Sequence, residues 1–206
     1  MDGTARAVMK SRRRYWIIAG IYAGALLGMG AAIYLRLTAD SRDPDKHARE
    51  AVELHRDGRF GEAVRSYESA LALKDDPVLR ASLSRALTQL GQVERATREL
   101  VLAAEGAPNH AEIWHDLGLL KWRGLNDKVG AEQAFAKAAA MPGAKPEVDF
   151  DRGMLLLSMQ RMDEAGACLE SALSRAPDNA PWRAQAEESL VITKVSKAPQ
   201  SAPAPR

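Results

Sequence analysis

Residues 63–70 read AVRSYESA, and the pattern returns as ATRELVLA at 96–103, AEQAFAKA at 131–138 and AGACLESA at 165–172. Each segment opens and closes on alanine, at Ala63/Ala70, Ala96/Ala103, Ala131/Ala138 and Ala165/Ala172. Between the alanines stands a bulky apolar residue: Tyr67, Leu100, Phe135 and Leu169. Positions i, i+4 and i+7 fall on one face of a helix, so each segment presents a small–large–small stripe. Successive copies are separated by 33, 35 and 34 residues. A fixed period of this length is the signature of stacked helical units, in which small residues mark where helices touch and a bulky one fills the space beside them.

A second small-residue column precedes the first. Ala51, Ser84, Gly118 and Gly153 are each followed three residues later by Leu54, Leu87, Lys121 or Leu156. Turns fall at Asp57-Gly58-Arg59 and Leu90-Gly91-Gln92, and units meet near Pro77, Pro108, Pro142 and Pro177, where proline cannot continue the preceding helix. The array resembles the tetratricopeptide repeat family, most closely in units two and three. Trp114-His115-Asp116-Leu117-Gly118 carries the family's tryptophan, leucine and glycine signature. The resemblance covers residues 44–177 as four units, about two-thirds of the chain. It departs at His47, which stands where an early aromatic is usual, at Lys121, and at the Arg123–Asp127 turn, which is one residue too long. The implied fold is an all-α solenoid of helix–turn–helix units. Residues 178–195 are expected to add a capping helix with Trp182, Ala186 and Leu190 inward, because such arrays need their last face covered. The proline-rich 196–206 is expected to be a disordered tail.

The resemblance further implies that the first helix of each unit lines a groove for a protein partner, either an extended peptide or a helix. Carried onto this sequence, the groove positions are Val52, His55 and Arg56 in unit one, and Ala81, Arg85, Thr88 and Gln89 in unit two. Units three and four add His115, Leu119, Trp122, Arg123, Phe150, Met154 and Leu157. Trp122 with Arg123 is the pair expected to dominate binding, since buried Trp and Arg do so at interfaces. The carboxylate clamp of the family's chaperone-tail binders is not expected, because Ala48 and Val52 occupy its lysine and asparagine positions.

The N-terminal part reads differently. Tyr15–Leu35, YWIIAGIYAGALLGMGAAIYL, holds no charged residue. As a helix it would span about 30 Å, the depth of a bilayer core, with Tyr15, Trp16 and Tyr34 at the two interfaces. Segment 1–14 carries Arg6, Lys10, Arg12, Arg13 and Arg14 against Asp2, and 36–43 reads as a linker. The positive-inside rule then places the N-terminus in the cytoplasm of a bacterium and the repeats in the periplasm, on a single-pass inner-membrane anchor. Gly20, Gly24, Gly28 and Ala32 form a small-residue ridge on which another membrane helix, of a second copy or a different protein, would pack. Cleavage as a signal peptide is the alternative, and Ser11–Tyr15 also resembles a twin-arginine export motif.

Charge and chemistry narrow the function. The whole chain carries +2 and its first 14 residues +4, so the remainder stands at −2 and offers no basic field to nucleic acid. The single cysteine, Cys168, falls in an apolar helical pattern and is expected to be a buried core residue. His47, His55, His110 and His115 have no metal-ligand spacing, and no phosphate loop or strand pattern is present, so neither a metal, a cofactor nor catalysis is expected. The sequence therefore predicts a membrane-anchored, non-enzymatic scaffold that helps assemble or stabilise a cell-envelope complex, as anchored repeat proteins of cytochrome c maturation or translocon-associated chaperones do. The alternatives are an accessory subunit of a membrane enzyme or transport machine, and a soluble exported repeat protein.

Overall fold

A computed structural model of the protein describes residues 28–30 and 43–197. Among them are no strands. The first helices of the four units are α1 (Pro44–Arg56), α3 (Pro77–Gln89), α5 (Ala111–Leu119) and α7 (Pro146–Ser158). They alternate with the second helices α2 (Phe60–Leu73), α4 (Val93–Gly106), α6 (Lys128–Ala139) and α8 (Met162–Arg175), and α9 (Arg183–Lys197) comes last. From α2 onward neighbours in sequence are neighbours in space, and Ala51 and Leu54 of α1 share a buried cluster with Ala63, Val64 and Tyr67 of α2, which makes an all-α solenoid of repeats.

The columns that announced the repeat form its core. All eight column alanines are fully buried, and so are Tyr67, Leu100, Phe135 and Leu169. Gly118 shows why its position must be small: a Cβ there would lie 2.5 Å from the Phe135 ring. Gly153 stands in the same relation to Leu169, at 2.9 Å. Helix starts reflect local chemistry. Asp76 accepts from the Val78 and Leu79 amides at 2.8 and 3.2 Å ahead of Pro77, and Asp127 accepts from the Gly130 amide at 2.9 Å. Cys168 is half-buried rather than enclosed, and burial pushes its thiol pKa up.

The turns inside the units keep the same period. One residue in each adopts a left-handed backbone: Gly58, Gly91, Asn126 and Gln160, with φ of 74°, 72°, 55° and 61°. In units one, two and four the next amide reaches back five residues, from Arg59 to Leu54, Gln92 to Leu87 and Arg161 to Leu156, at 2.9–3.0 Å. This is the hydrogen bond of a Schellman helix stop. In unit three the bond runs back six, from Asp127 to the Lys121 carbonyl at 2.8 Å. Residues Leu120–Gly124 absorb the extra residue as a π turn, in which the Leu125 amide donates to Leu120 at 3.2 Å. Lys121, odd at an apolar position, turns its ammonium to Asp127 at 3.6 Å.

Gln160 occupies a conformation that side chains avoid by about 1–2 kcal/mol. Gln160→Gly is therefore expected to stabilise the fold by about 0.5–1 kcal/mol after glycine's greater unfolded-state entropy is subtracted. Urea unfolding measures this, and an unchanged or lower midpoint would contradict the assigned turn geometry.

The last face is covered. Phe150, Leu169, Ala172 and Ala186 form a buried cluster against which Met154, Leu157, Leu173, Trp182 and Leu190 pack. The expected spanning segment 15–35, with Gly20, Gly24 and Ala32 of its ridge, lies outside the described residues, as do the linker residues up to 42 and the tail beyond 197. Gly28 falls in the short described helical stretch 28–30 and is exposed there. No helix among the described residues is long and apolar enough to cross a membrane.

Candidate binding groove

The first helices and the π turn bring eight of the fourteen expected groove positions onto two adjoining cavities. Val52, His55 and Arg56 of α1 line one of about 260 Å³, together with Tyr67, Ser82 and Arg85. Arg85 also lines the other, of about 420 Å³, with Thr88, Gln89, Leu119 and Arg123. Leu100, Leu120 and Val93 make its walls apolar, and Gly124 of the π turn completes it. A Cβ on Gly124 would meet Val93 at 2.7 Å, so the inserted residue helps shape this cavity. Its size falls within the range of ligand-binding pockets.

Charges on the cavities are organised by the repeat. Arg85 gives its Nε and Nη2 to Asp116 Oδ2 at 2.9 and 2.7 Å. Asp151, buried, accepts from Arg123 Nη2 at 2.9 Å and lies 2.9 Å from His115 Nε2. Asp116 and Asp151 each stand two residues before the small residue of their helix, Gly118 and Gly153. A carboxylate at one register thus takes cations from the preceding unit twice. Other pairs tie units together away from the cavities, among them Glu112 with Lys145, and Arg152 with Glu132 at 2.7 Å.

At the first cavity His55 packs edge-on to Phe60 and Tyr67, with centroids 5.2 and 6.4 Å apart. Burial, and then the charge of Arg85, lower its pKa below the ordinary 6.5. Its Nδ1 is buried and finds no hydrogen-bond partner. Burial raises the Tyr67 hydroxyl, against the opposing pull of Arg85 and Ser82.

The remaining expected positions lie elsewhere. Phe150 is a correction: only 7% exposed, its ring stacks on Trp182 at 4.9 Å, in the core under α9. Met154 is another, for it packs in the same cluster and accepts from Ser189 Oγ at 3.4 Å. Leu157 goes with them, and Ala81 is buried in the core of units one and two. The reason is common to Phe150, Met154 and Leu157: α9 docks where a further unit would stack. Trp122 is half-buried against Ala131, Phe135 and Leu155 and lines neither of the two cavities, while the Arg123 guanidinium sits 5.2 Å over its ring. His115 is held by Asp151 and lies 5.7 Å from the Phe135 ring, so it acts as a strut between units three and four. Sequence reasoning missed Asp116, Asp151 and Ser82. Their common register two residues before each small residue was the available signal.

Family models described as tetratricopeptide repeat match residues 54–118 and 150–179. The chain is 27% identical over 142 residues to the cytochrome c-type biogenesis protein CycH of Bradyrhizobium diazoefficiens, a match covering 68% of this chain. It spans about a third of that protein's length, the match covering 30% of it. Among solved structures, MamA superposes with a TM-score of 0.67 at 19% identity, over 77% of this chain and 84% of MamA. YrrB, described as a TPR protein with an unusual peptide-binding site, superposes with a TM-score of 0.66 at 17% identity, over 82% of this chain and 86% of YrrB. Those identities speak to the fold alone. Together with the four-unit core and the left-handed turn residue in every unit, the matches make the chain a member of the tetratricopeptide repeat family.

Proposed function

We propose that this protein is a membrane-anchored adaptor that holds a segment of a partner polypeptide along units one to three and serves the assembly of a cell-envelope complex. The observation that carries the reading is the pair of adjoining cavities sharing Arg85, which offer an apolar hold flanked by guanidinium groups. The likeness to CycH favours cytochrome c biogenesis as the process served, and the peptide site named for YrrB favours a peptide-like partner. The charge-free 15–35 and the basic 1–14 favour an inner-membrane anchor with the repeats in the periplasm. Extraction of membranes at high pH tests the anchor, because a cleaved, exported product would leave the pellet.

Crosslinking in intact membranes, with identification of the co-purifying proteins, tests the adaptor. Thr88 is exposed on the wall of the larger cavity, and Thr88→Trp is expected to fill it and remove a partner that wild type retains. Trp122→Ala serves as the contrast and is expected to leave the partner set unchanged. An unaltered set with Thr88→Trp would refute the groove. The glycine ridge supports a second contact, to a membrane helix, and Gly24→Leu with Gly28→Leu would abolish it.

A further inference from the structure

We propose that the cavity between units one and two is a carboxylate site, which takes an acidic side chain of the partner segment while an apolar side chain of the same segment enters the cavity between units two and three. This rests on the groove reading and specifies which residues the groove selects.

The register of the repeat points to the site. At the junction of units two and three, Asp116 takes Arg85; at the junction of three and four, Asp151 takes Arg123 and His115. The equivalent position at the junction of units one and two, two residues before Ser84, is Ser82. Arg56 lines the cavity at that junction and has no carboxylate partner among the described residues. The junction that lacks the acid is the one that carries the 260 Å³ cavity, and none of the six residues lining it is acidic.

The lining offers two guanidinium groups. Arg56 has no carboxylate partner, and Arg85 uses Nε and Nη2 on Asp116, leaving Nη1 unbonded among the described residues. The Ser82 hydroxyl donates to the Val78 carbonyl at 3.1 Å, and the buried Nδ1 of His55 has no partner. Guanidinium forks match a carboxylate in shape as well as charge. Two guanidinium groups with no acid among the lining residues complement an acidic side chain, and the occupant is one carried by a partner polypeptide. Because Arg85 lines both cavities, the acidic and apolar residues must be close along one segment.

The test is an anisotropy titration of the full-length chain with fluorescein-labelled ten-residue peptides, capped at both ends, made in both chain directions. Each carries two glutamates at one end and leucine and phenylalanine at the other; controls replace the glutamates by glutamines, or the apolar pair by serines. The glutamine control is expected to bind about tenfold more weakly. Arg56→Gln should remove that preference without weakening the glutamine peptide. Ser82→Asp should also remove it by supplying the missing acid, while its thermal midpoint at or above wild type shows the array folded. Equal binding of glutamate and glutamine peptides, or a preference that survives both variants, would overturn the proposal. Absence of binding by every peptide would also overturn it, and the Thr88→Trp crosslinking comparison would separately decide whether the groove reading stands.

Discussion

Phe135→Ala is expected to lower stability by about 3–5 kcal/mol, the range for deleting a fully enclosed aromatic ring. Phe135 has no exposed surface and packs with Ala131 and Leu155, with Leu119, Trp122 and Met159 closing around them. The cavity left behind cannot refill easily, because the α5 residue facing the ring is Gly118, which has no side chain to contribute. That contact yields a sharper expectation than the single loss. In the native background Gly118→Ala sets a methyl 2.5 Å from the ring, so the ring must shift, at about 1–3 kcal/mol. In the Phe135→Ala background the same methyl enters vacated space and should cost nothing or stabilise. A double-mutant cycle by urea unfolding is expected to give a coupling of at least about 1 kcal/mol, and additive losses would mean that the two helices do not meet as described.

The same packing logic explains which features are legible in the sequence. The alanine and bulky columns are local records of helix touching helix, so the units can be counted without knowing the fold. That His55, Arg56, Arg85, Gln89, Leu119 and Arg123 line cavities is legible because the exposed face of a first helix is set by register within a unit. Trp122 is misplaced for a reason the spacing contains but cannot resolve. The 35-residue interval between Ala96 and Ala131 announces one extra residue, yet not that it enters α5 as a π turn. Each added residue rotates the later helical positions by about 100°, and here Trp122 goes toward Phe135 and Leu155 while Arg123 stays on the cavity. Phe150 and Met154 are lost to α9, whose docking site is decided by the whole exposed face of unit four. Asp116 and Asp151 find partners 31 and 36 residues away, and a spacing near one repeat gives the neighbouring unit without giving the pair.

Ending the chain after Pro177, which removes α9, is expected to unfold unit four while leaving units one and two folded. In a repeat array each unit is stabilised by its neighbours, so the loss of one interface acts locally before it acts globally. The interface here is substantial: Ala186 and Thr193 are fully enclosed, Thr193 lies against Gly166, and Trp182 covers Phe150. Its removal would expose Phe150, Leu169 and Leu173 to water, at about 1.5–3 kcal/mol for each large side chain that becomes fully exposed. The outer face of α9 is itself partly apolar, with Val191, Ile192 and Val195 more than half exposed. Unit four has a second tie, since Asp149 accepts from Ser171 at 2.7 Å and pairs with Arg175, joining α7 to α8 without α9. If that tie sufficed, amide exchange in α7 and α8 would stay slow after truncation. Exposure of several large side chains outweighs one partly solvated ion pair, so exchange there is expected to approach unprotected rates while α3 and α4 keep their protection. Uniform loss of protection across all units would instead mean that the array unfolds as one cooperative block.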